Sequence, residues 1–186
     1  MSTLYLVRHA HAEWTPDENR PLSTRGSEDA KRVADTLCTY PLRAIYSSPA
    51  LRARQTITPL AGRLGLSIHI EPDLQERRLG EGVFKGYLKA VEVTWRDPSF
   101  AHPGGESSLM AQKRGIAVVQ RLLEKYPGQQ IVLSTHGNLM ALILQSFDLS
   151  VDFIFWKSLT MPDVYKLTIN KFGKGLMQRL WQEVDA

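Results

Sequence analysis

Four short apolar runs, each stopped by a proline or a charged or imidazole side chain and separated by segments of helical period, constrain the fold most. Thr3-Leu4-Tyr5-Leu6-Val7 stops at Arg8-His9, Leu42-Arg43-Ala44-Ile45-Tyr46 runs into Ser47-Ser48-Pro49, Ser67-Ile68-His69-Ile70 meets Glu71-Pro72, and Ile131-Val132-Leu133-Ser134-Thr135 gives way to His136-Gly137. Runs of this length bounded by turns read as buried strands. Between them Ala30, Val33, Ala34, Leu37 and Cys38 recur at helical spacing behind Ser23, a capping residue. Ile57, Leu60 and Leu64 do so ahead of Gly65, and Ile116, Val119, Leu123 and Tyr126 ahead of Pro127-Gly128. Leu139 to Leu144 is apolar on every side, as a helix packed on a sheet would be. Strand and helix in alternation predict an α/β fold, a three-layer sandwich with a mostly parallel central sheet and helices on both faces. Val164–Ile169 and Leu176–Trp181, around Gly173-Lys174-Gly175, predict an antiparallel pair closing one edge.

From Leu74 to Gly105 the pattern loosens, with Gly80, Gly82, Gly86 and Pro98 among Phe84, Tyr87, Trp95 and Phe100. A lid insertion over about 77–105, with a short helix from Leu88 to Trp95, is expected. The 186 residues suit one domain of roughly 150 residues or more, so 1–186 is read as a single unit. No apolar run approaches the ~18 residues of a membrane span, and no basic segment followed by an apolar one opens the chain, so neither membrane nor secretion is expected. Cys38 is the single cysteine, which points to a reducing, cytoplasmic setting. The net charge of +4 reflects 23 basic against 19 acidic residues, spread along the chain without a basic cluster of five, so a solvated, mildly basic surface is expected rather than a nucleic-acid site, and a small anionic substrate is equally compatible. Oligomeric state is not encoded in any feature of the sequence.

In open α/β sheets ligands bind at the carboxyl ends of the strands, and two of the runs end there in histidine. Were those strands neighbours, His9 and His136 would meet, with Arg8 and Arg52 beside them. Guanidinium forks match phosphate oxygens two at a time, and the amides of Gly137 and Asn138 would add the positive end of a helix. Such a pocket selects phosphoryl groups. Phosphoryl transfer there needs a nucleophile, for which a neutral ring nitrogen of His9 serves, and an acid for the leaving oxygen, for which a carboxyl serves. His9-Ala10-His11 places two imidazoles on one strand face, yet no carboxylate or thiolate spacing completes a metal site, so no metal is expected. Gly80 to Gly86 lacks the spacing of a dinucleotide loop, and no cofactor is expected. His69 and His102 carry no argued role.

These residues resemble the histidine phosphatase superfamily, also called phosphoglycerate mutase-like. Leu6-Val7-Arg8-His9-Ala10 resembles its Arg-His-Gly signature, and Ser47-Ser48-Pro49-Ala50-Leu51-Arg52-Ala53-Arg54-Gln55-Thr56 resembles its second block. That resemblance implies Arg52, rather than Arg54, as the second phosphate arginine. Leu74-Gln75-Glu76-Arg77-Arg78-Leu79-Gly80 resembles the segment with the proton donor, implying Glu76, and Ser134-Thr135-His136-Gly137-Asn138 resembles the block with the second pocket histidine. The blocks occur in the family's order. The resemblance implies a metal-independent phosphoric monoester hydrolase of the histidine acid-phosphatase kind, in which His9 carries the phosphoryl group, Arg8, Arg52 and His136 hold it, and Glu76 is the acid.

Three positions depart from the pattern. Ala10 replaces a glycine, which fits if the backbone there is not at positive φ. Thr15 stands where relatives place an asparagine on the phosphate, and Leu79 stands where the mutase branch has a tyrosine. The paired arginines and the proline-rich loop of the mutases have no counterpart, which favours hydrolysis. A phosphoglycerate-type mutase and a non-catalytic phospho-ligand binding module are the other readings, and Glu106, in Pro103-Gly104-Gly105-Glu106-Ser107, is the rival to Glu76 as proton donor.

Overall fold

In the computed structural model, which describes residues 1–15, 19–82, 85–170 and 172–183, Leu4, Tyr5, Leu6 and Val7 are all 0% exposed. Each such side chain contributes about 1.5–3 kcal/mol of transfer free energy, and burial on both faces is the signature of a central strand. This strand is β1 (Ser2–Arg8). The chain continues through α1 (Thr24–Leu37), β2 (Leu42–Ser47), α2 (Leu51–Leu64), β3 (Ile68–Ile70), a 3-10 turn (Pro72–Leu74), α3 (Tyr87–Arg96), α4 (Ser108–Lys125), β4 (Gln130–Thr135), α5 (Gly137–Gln145), α6 (Phe153–Ser158), β5 (Asp163–Ile169) and β6 (Gly175–Arg179).

The strands form one sheet in the order β3-β2-β4-β1-β5-β6. The first four run parallel, and β5 and β6 add an antiparallel edge pair. Alternation along β1 sends Leu4 and Leu6 into one apolar layer and Tyr5 and Val7 into the other. Residues of α4, α5 and α6 fill the first layer, and Val33, Ala34 and Leu37 of α1 with Ile57 and Leu60 of α2 fill the second. The three-layer α/β architecture expected from the sequence is the one observed. Among the described residues no helix is long and apolar enough to cross a membrane.

Caps set the helix boundaries. Ser23 Oγ accepts from Gly26 N at the start of α1, Ser107 Oγ from Met110 N at the start of α4, and Gly65 closes α2 with φ +64°. The predicted short helix coincides with α3, while Phe84 lies outside the described residues. Two features differ from expectation. The last strand stops at Arg179 rather than reaching Trp181, because the indole turns onto α1, where the Arg32 guanidinium lies 4.5 Å from its ring centre. Helix α6, at six residues, is too short to show a period and has only Asp152, whose carboxylate accepts from Phe155 N, as a sequence sign.

The loop after β1 is pinned to α1. Ser23 N donates to His11 O, and a Cβ at Gly26 would lie 2.0 Å from that same oxygen. Gly26→Ala is therefore expected to destabilise the protein by about 1–3 kcal/mol in urea unfolding. Gly62→Ala, exposed on α2 with nothing within 4 Å of the added carbon, should stabilise it by up to about 1 kcal/mol.

Candidate active site

Parallel pairing of β1 with β4 places Arg8 opposite Thr135, so the next residue on each strand, His9 and His136, emerges at the same end of the sheet. His9 N donates to Thr135 O at 3.0 Å, and the two imidazoles stand edge to face with centres 5.1 Å apart. Beside them β2 ends at Ser47, and Ser48 follows with its N–H on Ser134 O. Arg52 reaches in from the first turn of α2.

The ring contacts define the tautomers. Arg52 donates from Nε to His9 Nε2 at 3.2 Å, so that nitrogen carries a lone pair, and Nδ1–H of His9 donates to Ala10 O at 2.8 Å. Arg52 Nη2 lies 3.3 Å from His136 Nδ1, which leaves Nε2–H of His136 to donate to Ser48 Oγ at 2.8 Å. Burial, reinforced by Arg52, Arg8 and Arg20, lowers the His9 pKa from 6.5 to about 3 against the pull of the Ala10 carbonyl. Burial first, then the charges of His9, Arg52, Arg114 and Arg8, holds His136 well below its ordinary value. Both rings are neutral at pH 7.

Arg8 packs on Gly137, where a Cβ would come within 3.1 Å of its Cζ and Nε, and its Nη1 donates to Leu159 O at 2.8 Å and Thr160 O at 3.2 Å. The Ala10 amide donates to Thr56 Oγ1, and among the described residues no non-glycine has positive φ, so the methyl of Ala10 meets no backbone strain. Thr15 is half-buried.

A cleft of about 710 Å³ opens beside these groups, lined among others by Arg20, Arg52, Glu76, Arg77, Arg78 and His136. Glu76 lies at the amino end of α5, where Oε2 accepts from Asn138 N at 3.0 Å and Oε1 from Leu139 N at 3.0 Å and Arg77 N at 2.8 Å. Those first-turn amides have no partner within the helix, and the helix dipole favours a carboxylate there. Glu106 is placed differently: both its oxygens take Arg114, at 2.7 and 2.9 Å, tying α4 to the loop before it. The two candidate acids of the sequence thus sit in different settings, Glu76 on backbone amides and Glu106 on a guanidinium.

Three residues of the site escaped the sequence reading. Ser48 orients His136, and its signal was its position directly after a strand that ends beside the other two. Arg20 joins the cleft from the loop after β1. Arg77 is 3% exposed, and its Nε, Nη1 and Nη2 have no hydrogen-bond partner among the described residues. Burial lowers its pKa while Glu76, Tyr87 and Glu106 work to hold the charge.

A model of the histidine phosphatase superfamily (branch 1) matches residues 4–181. The chain belongs to the histidine phosphatase superfamily. It is 28% identical over 154 residues to phosphoglycerate mutase-like protein 4 of Arabidopsis thaliana, covering 74% of this chain and 67% of that one. It is 29% identical over 150 residues to phosphoserine phosphatase 1 of Hydrogenobacter thermophilus, covering 73% and 71%. The matches span between 60% and 71% of the length of these and other curated relatives. Among solved structures, the native mycobacterial glucosyl-3-phosphoglycerate phosphatase shares the fold with a TM-score of 0.78 at 23% identity, over 95% of this chain and 97% of that one. Phosphatases thus stand among both the sequence relatives and the structural neighbours of this superfamily member.

The depressed histidines carry a stability consequence. Unfolded imidazoles take up protons below about pH 6.5 that the folded ones refuse, so stability is complete above that pH and declines as pH falls toward 3. Each histidine should add a slope of up to about 1.4 kcal/mol per pH unit, and His136→Asn should remove roughly half of the combined slope between pH 6 and 5 in urea unfolding.

Proposed function

We propose that this superfamily member is a metal-independent phosphatase that hydrolyses phosphate monoesters through a phosphohistidine on His9. The observation that carries the reading is the His9 ring, neutral, with Nδ1–H on the Ala10 carbonyl and the lone pair of Nε2 turned to Arg52. Nε2 attacks phosphorus as the P–O bond of the ester breaks, and Glu76, which takes up a proton as the ester binds, passes that proton to the leaving oxygen. Water then attacks the phosphohistidine, Glu76 takes its proton, and the N–P bond breaks to release phosphate. Arg8, Arg52 and His136 cover the equatorial oxygens through both steps, and their charges supply the electrostatic stabilisation on which phosphoryl transfer depends. His136 serves as a donor after taking up a proton with the entering dianion, whose charge offsets the burial and the neighbouring arginines that keep the ring neutral. Residues 1–186 act as one unit in this reading, with 77–105 as the lid.

Arg77 bears on the leaving group. A buried guanidinium with unpartnered nitrogens is costly unless an anion completes it. Its place on the cleft wall next to Glu76 fits an alcohol that itself carries a carboxylate or second phosphate. Phosphoserine, the substrate in the name of the Hydrogenobacter relative, has that character.

An alkaline quench of the wild type should trap a base-stable, acid-labile phosphoprotein that His9→Ala lacks, and turnover by His9→Ala at near wild-type rate would exclude the mechanism. Glu76→Gln should slow alkyl phosphates about 10²- to 10⁴-fold and p-nitrophenyl phosphate much less, since that leaving group scarcely needs a proton. Arg77→Met should cut kcat/KM for phosphoserine about ten- to hundredfold and leave a neutral alkyl phosphate nearly unchanged. A mutase would show instead dependence on a bisphosphorylated activator, and a binding module would take up phosphate esters without hydrolysis.

A further inference from the structure

The geometry points to Asp163 and Arg179 as positioning residues that aim the phosphate fork of Arg8, from an ion pair no site motif contains. The inference rests on the phosphoryl-pocket reading above.

Arg8 has one edge of its guanidinium occupied: Nη1 donates to the carbonyls of Leu159 and Thr160. Its Nε is buried with no hydrogen-bond partner among the described residues. Gly137 lies against the planar group, close enough that a side chain there would displace it. With Nη1 tethered and Gly137 against the group, the remaining edge, Nε–H and Nη2–H, is the one that can take two phosphoryl oxygens together. The direction of that edge therefore depends on where the Leu159–Thr160 turn is held.

The turn is held by Asp163. Its Oδ2 accepts from Thr160 N at 3.0 Å, and its Oδ1 accepts from Val164 N at 3.0 Å. Arg179 of β6 donates Nε to Oδ1 and Nη2 to Oδ2, each at 2.9 Å, and Nη2 also reaches Thr160 Oγ1 at 2.9 Å. Thr160 Oγ1 in turn donates to Pro162 O at 2.6 Å. Asp163 is 0% exposed, whereas the Arg179 side chain is 39% exposed, so the cation spans from solvent to a fully desolvated carboxylate. Buried ion pairs return little net stability compared with apolar residues of similar size. One that grips the turn under Arg8 from two strands away serves direction, because phosphoryl recognition degrades with small displacements of the donors.

The test measures orthophosphate affinity by calorimetry at a temperature where every variant is folded, alongside kcat and KM for p-nitrophenyl phosphate. Arg179→Met is expected to weaken orthophosphate about tenfold and raise KM in proportion, and Arg179→Lys, which keeps the charge but not the bidentate fork, to recover only part of the loss. Asp163→Asn, which keeps the shape and one acceptor, gives a second route and should weaken it about threefold. In an Arg8→Ala background, Arg179→Met should change the affinity by less than about twofold, because the residue through which it acts is gone. A pair that is only structural would lower Tm and leave orthophosphate affinity untouched; that result, or the same tenfold loss without Arg8, overturns the inference. A wild type that binds no orthophosphate and hydrolyses no ester would instead overturn the functional reading itself.

Discussion

The parallel pairing of β1 with β4 is the constraint on which the rest depends. Parallel strands share one carboxyl end, so the residues after β1, β2 and β4 are brought together without any long-range side-chain contact to recruit them. His9, Ser48 and His136 are those residues. Side chains alternate along a strand, so a slip of one residue would turn each of them to the opposite face. Double-sided burial of Leu4 to Val7 excludes such a slip, since it would send Tyr5 and Val7 into the layer shaped for Leu4 and Leu6. The apolar core and the polar site are therefore two results of one register.

A second economy lies at α5. The helix opens with His136 at its cap position, whose side chain makes no capping bond to the helix. Glu76, supplied from the loop after the 3-10 turn, takes the exposed amides in its place. The carboxylate proposed to move a proton thus also completes a secondary-structure element. Helix α3 joins the same point, because Trp95 Nε1–H donates to Asn138 Oδ1 at 3.2 Å. Helix α3, the start of α5 and Glu76 are consecutive links of one hydrogen-bonded chain.

The parallel sheet and both helix layers were legible in the sequence because each rests on a local signal: apolar runs of strand length, a helical period, and Ser23 and Gly65 at helix ends. His9, Arg8, Arg52 and His136 were legible because they follow directly from strand ends or from blocks with fixed spacing. Arg77 was not, since its singular property is the absence of partners, and an unpaired buried cation looks in sequence like any arginine beside a glutamate. The different settings of Glu76 and Glu106 likewise needed three dimensions. Which carboxylate reaches α5 and which is taken by Arg114 depends on contacts across 62 and 8 residues of chain, respectively. Trp181 and α6 escaped because a short segment that turns toward the core has no periodicity to betray it.

Strand β5 runs against β1, so its beginning, rather than its end, lies at the ligand side of the sheet. The carboxyl-terminal quarter of the chain, which carries none of the recognisable blocks, is thereby brought beneath the first arginine of the first block. Deleting or exchanging that quarter would keep every signature residue while leaving Arg8 without the turn that tethers it. Modular recombination in such a protein is limited less by its motifs than by the antiparallel hairpin behind them.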